Sequence, residues 1–122
     1  MSDLVDTPPA VFDPAALVNL TGHADDEEFA LVLAGRYLRL LPERVSRVRA
    51  ALRAEDHDEA MDAVLSLKVS SSTLGAHEIA TIGATIERHL RRVDLTGAHA
   101  AAGDLAPAAE RLSREIAAYL SV

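Results

Sequence analysis

The sequence predicts an all-α protein, an antiparallel up-down-up-down four-helix bundle with a short extra helix on its N-terminal side. Three observations carry that expectation. Alanine and leucine are abundant in a chain of 122 residues whose aromatic content is 3%, with no tryptophan. That composition suits helix packing and lacks the aromatic and β-branched clusters that strands favour. Apolar residues recur at intervals of three and four along several long segments, the spacing of one helix face. Start and stop signals separate those segments by short connections, so successive helices run back alongside one another.

Residues 1–12 contain Pro8-Pro9 and read as a disordered lead-in, with Val11 and Phe12 positioned to pack back on the domain. Residues 13–122 read as one domain, long enough to bury about two-thirds of its unfolded surface. Asp13-Pro14 is a helix start, Asp as N-cap and Pro at the first helical position, and the short helix that follows reaches about Leu20 and stops near Gly22. A second start is Asp25-Asp26-Glu27-Glu28, in which Asp25 and Glu28 fit a capping box. Its stripe runs Phe29, Leu33, Tyr37, Leu40 and resumes, shifted in phase, as Val45, Val48 and Leu52. The spacing predicts one long helix over 25–54, kinked at Pro42. The face bearing Arg36, Arg39, Glu43, Arg47 and Arg53 reads as solvated.

The third helix opens at Asp56, with Glu59 closing another capping box, and stops at Gly75. Its seam is Ala60, Val64, Leu67, Ser71, Leu74. The fourth, over 76–92, has the seam Ile79, Gly83, Ile86, Leu90, Val93. Gly83 lets a neighbouring helix approach closely, and Glu87 and Arg91 make an i,i+4 ion pair. The last helix has the seam Ala98, Ala102, Leu105, Ala109, Leu112, Ile116, Tyr119, and Gly103 and Pro107 weaken its first half.

Composition narrows the function. A formal net charge of −7, from 12 basic and 19 acidic residues, opposes a nucleic-acid or anionic-membrane surface, since both require a basic field. With no cysteine there is no disulfide, thiolate zinc site or thiol nucleophile. No apolar run is long enough to span a bilayer, and the acidic Met-Ser-Asp-Leu-Val-Asp start is unlike a signal peptide, so the expected location is cytoplasmic. No phosphate loop, nucleophile elbow, paired carboxylates or metal-ligand spacing stands out. The sequence therefore predicts no enzyme, no cofactor and no metal.

One surface remains to be explained. At ~100° per residue, Leu65 lies roughly 140° and Val69 roughly 180° from the centre of the third helix's seam, with Met61 and Lys68, the single lysine, on its flank. Three aligned apolar side chains on a charged surface suggest a contact. The stretch Leu65-x-Leu67-Lys68-x-Ser70-Ser71-x-x-Leu74-Gly75-Ala76 resembles the signature of histidine phosphotransfer (HPt) domains, His-x-Leu-Lys-Gly-Ser followed by Leu-Gly. The resemblance runs from Asp13 to Leu120 and includes Pro42, Asp56 and Ile86-Glu87. It implies an HPt-like bundle in a two-component phosphorelay, with a receiver domain or a histidine kinase as partner. Two positions depart from it. Leu65 stands where the family has its phosphoaccepting histidine, and Val69 where it has a glycine.

A leucine has no nucleophilic atom. The reading is therefore a pseudo-HPt module that docks its partner through Met61, Leu65, Lys68, Val69 and Ser72 without accepting phosphate. The alternatives are a homodimer through the same stripe and phosphotransfer through a displaced histidine among His23, His57, His77, His89 and His99. A further alternative is that Val11 or Phe12 lies across Leu65 and Val69.

Overall fold

The computed structural model describes residues 8–21 and 27–121. Among them are six α-helices and no strand: α1 (Pro14–Thr21), α2 (Glu27–Arg53), α3 (His57–Leu74), α4 (His77–Arg91), α5 (Leu95–Ala102) and α6 (Leu105–Leu120). The local chemistry that starts and stops them is legible in the sequence. Asp13 Oδ1 accepts from the Ala15 amide at 3.0 Å, and Asp56 Oδ1 caps α3 by accepting from the Glu59 amide at 3.1 Å. Gly75 ends α3 in the left-handed conformation at φ 89°, with its neighbourhood returning amide bonds to Ser71 and Ser72. The capping box expected at Asp25, the stop at Gly22 and His23 lie outside the described residues.

The helices close a ring. α2 packs on α3, α3 on α4, α4 on α5 and α6, and α5 and α6 return to α2, while α1 lies across α2 and α3. Two cross-links show that α2 and α3 run in opposite directions: Tyr37 meets Ser71 and Arg47 meets Glu59, so the partner number falls as the α2 number rises. Between the helices lie fully buried Leu17, Val48, Val64, Leu67, Ile79, Ile86, Leu90, Leu105, Leu112 and Ile116. Burying each such side chain stabilises the fold by roughly 1.5–3 kcal/mol before entropy is counted.

Three sequence expectations change. The stripe of α2 is Ala30, Ala34, Tyr37, Leu41, Val45, Val48, Leu52, at intervals of three and four throughout, with no phase shift. Phe29 is 46% exposed and Leu40 half-buried. Small alanines face the core near the start of α2, and the helix continues through an exposed Pro42. On α4, Val93 leaves the seam. It follows the helix end at φ 54° and is 74% exposed. The last helix is two, divided at Gly103-Asp104. Pro107 falls in the first turn of α6, where its missing N–H breaks no intrahelical bond.

Of the lead-in expected over residues 1–12, residues 1–7 lie outside the described residues, while its last residues are seated on the bundle. The Glu78 amide donates to the Ala10 carbonyl at 2.9 Å, and the Asp13 amide to the Gly75 carbonyl at 2.8 Å. Phe12 is buried and meets Tyr119 edge-on at 5.5 Å.

Candidate functional site

The site is built on α3, held on either side by α2 and α4. Ser71 is fully buried, and its Oγ lies 2.6 Å from the Tyr37 hydroxyl. Burial pushes the Tyr37 phenol up, and this bond to Ser71 partly offsets the rise. On the other side Gly83 of α4 faces Lys68: a methyl group at Gly83 would stand 3.3 Å from the Lys68 Cβ. The close approach expected of Gly83 is thus made against α3, at the lysine itself.

Lys68 reaches along α4 and donates from Nζ to Glu87 Oε1 at 2.6 Å. Arg91 donates to Glu87 Oε2 from Nε at 3.0 Å and from Nη2 at 2.6 Å, which is the i,i+4 pair read in the sequence. The Lys68 bond to Glu87, and then those from Arg91, hold the Glu87 carboxyl below the usual carboxylate range. The Lys68–Glu87 contact joins residues nineteen apart, and sequence reasoning missed it. Gly83, one turn before Glu87, was the available signal.

The five residues of the expected docking face divide. Val69 is 61% exposed and Ser72 is exposed. Leu65 is half-buried and outside the buried core. Met61 is half-buried and packs against the core, so it belongs more to the bundle than to its surface. Lys68 is half-buried, with its amine on Glu87. Beside them a groove of about 510 Å³ runs between Lys68, Val69, Ser72 and Thr73 of α3 and His77, Ala80, Thr81, Ala84 and Arg88 of α4. Hydroxyls along α3 bond back to their own helix, Ser70 to the Ser66 carbonyl and Thr73 to the Val69 carbonyl, each at 2.9 Å.

Val11 and Phe12 do not lie over Leu65. They sit at the Gly75 end of α3, ten residues or about 15 Å of helix away from Leu65. The described histidines are dispersed. His57 Nε2 is 2.6 Å from the Leu90 carbonyl oxygen, His77 Nε2 is 3.4 Å from Asp13 Oδ2, and His89 Nδ1 is 3.0 Å from Asp94 Oδ2. His99 is exposed on α5. Asp94 is held below its usual range chiefly by the Gly97 amide and then by His89. Among the described residues no three His, Asp or Glu side chains are grouped to hold a metal ion, and no helix is long and apolar enough to cross a membrane.

Fold and site together define a helical bundle that presents its third and fourth helices as an open face. The family model for the Hpt domain matches residues 32–121. The chain belongs to the Hpt domain family. Hpt domains are phosphotransfer modules of two-component phosphorelays, where they interact with receiver domains and kinases. The chain has no match among curated proteins or among solved structures.

Proposed function

We propose that this Hpt-family bundle is a pseudo-HPt docking module of a cytoplasmic two-component phosphorelay. It binds a receiver domain or a histidine kinase through the face around Leu65 and does not itself accept phosphate. The observation that carries the reading is Leu65, half-buried beside the 61% exposed Val69, at the position where the family signature has its histidine. An alkyl side chain cannot form a phosphoramidate bond, while two apolar side chains on a wet helix face gain from being covered. Burial of each in a contact is worth roughly 1.5–3 kcal/mol at most, before the costs of association.

Two measurements test the reading. Leu65→Asp places a charge in the middle of the face and should weaken binding to a partner receiver by about tenfold or more, with helicity confirmed by circular dichroism. Unchanged affinity in a folded variant would remove this face as the interface. Incubation of the natural chain with phosphorylated receivers should leave it without acid-labile phosphate. Label on the chain would establish phosphotransfer through another histidine.

A further inference from the structure

Lys68 is the single lysine of the chain and stands three residues from Leu65. Its amine is engaged on α4, where Glu87 Oε1 receives it at 2.6 Å on a carboxylate side chain only 11% exposed. The other oxygen of Glu87 takes two bonds from Arg91. Charge-assisted bonds of this kind are short and strong, and partial exclusion of water strengthens them further. The backbone imposes the arrangement, because Gly83 brings α4 against the Cα and Cβ of Lys68 and leaves the side chain to run toward Glu87. Arg88, across the neighbouring groove, donates to Thr85 Oγ1 on its own helix at 3.3 Å. A phosphoryl group brought to Leu65 would meet an amine that already spends one of its three N–H donors on Glu87, whose carboxylate offsets its charge, and neither Leu65 nor Val69 has a side-chain donor to add.

We infer that docking at this face is indifferent to the phosphorylation of the partner: Glu87 retains Lys68, so the module holds a receiver equally well with or without its aspartyl phosphate. This rests on the receiver-docking reading given above and adds its regulation. Such a module occupies receivers in the resting state as well as in the activated one.

The test uses the full chain and a set of purified receiver domains from the source cell, each bare and each treated with beryllofluoride, which mimics an aspartyl phosphate. For every receiver that binds, the two dissociation constants should agree within about twofold. Tighter binding of the beryllofluoride form by about tenfold would overturn the inference while leaving the docking reading intact. Binding of no receiver in either form would remove the docking reading and this inference with it. In Glu87→Gln the carboxylate charge that retains Lys68 is gone, and a preference of about fivefold or more for the beryllofluoride form should appear. A folded Glu87→Gln chain without that preference would show that the Glu87 contact is not what makes the face indifferent. Should this variant fail to fold, the comparison on the natural chain decides alone.

Discussion

Gly75 shows how much one residue can hold. It closes α3 at φ 89°, where a residue with a Cβ is disfavoured by roughly 1–2 kcal/mol. It also lies under the chain entering α1: a Cβ at Gly75 would collide with the Asp13 carbonyl oxygen and press on the Ala16 methyl. Gly75→Ala should therefore lower stability by more than the roughly 1–2 kcal/mol of backbone strain, read as a drop in the urea midpoint. A loss no larger than that strain would mean that the N-terminal segment yields freely. The stop signal of Gly75 was legible because it is local. Its second role was not, because Asp13 is sixty-two residues away in the chain and reaches Gly75 only through folding. The same distinction separates Val69 from Met61. Helix geometry placed both off the seam, and Val69 is indeed 61% exposed. Met61 has a long flexible side chain that bends back onto the core from the flank.

Between elements, the helix ends and most seams were legible, and the contacts across helices were not. The α3 seam is buried at every position read from the sequence. On α2 the reading followed the largest apolar residues and so took Phe29 for core, whereas the core side near the start of α2 is made of Ala30 and Ala34. Small residues give a weak hydropathy signal yet allow close approach. The division of α5 from α6 was foreshadowed by Gly103 and Pro107, but which of kink, late start or break results depends on packing against α4 and α2. The Tyr37–Ser71 bond between α2 and α3 carries a prediction at this scale. Tyr37→Phe leaves the fully buried Ser71 hydroxyl without its partner on α2 and should cost about 1–3 kcal/mol. Adding Ser71→Ala should recover part of that loss, because an apolar pair leaves no buried polar group unsatisfied. Losses that simply add across the two changes in denaturant titrations would show that the two groups are not coupled.

For the whole molecule, stability should depend on pH through its held carboxylates. The chain carries −7 at neutral pH, yet Glu87, Glu59 and Asp94 are each drawn below their ordinary range by donors in the fold: Lys68 and then Arg91 for Glu87, Arg47 for Glu59, the Gly97 amide and then His89 for Asp94. A carboxyl depressed in the folded state contributes stability that is fully present above its unfolded value. That contribution fades as pH falls through the lower folded value, because the unfolded chain takes up the proton first. The ordinary values are 4.5 for Glu59 and Glu87 and 3.8 for Asp94, so these groups leave stability level at neutral pH and erode it in the acid region below those values. Glu87 should dominate, since its side chain is 11% exposed against 43% for Glu59 and 46% for Asp94, and water screens the exposed pairs. Glu87→Gln should thus be less stable than the natural chain at neutral pH, by about 1.5–3 kcal/mol for a buried charge-assisted contact. The gap should narrow on acidification, as the natural chain loses what the variant never had. Thermal melts of the two proteins across the acid range test this directly: parallel curves at every pH would show that Glu87 gains nothing from Lys68 and Arg91, and would remove the physical basis for a retained lysine on the docking face.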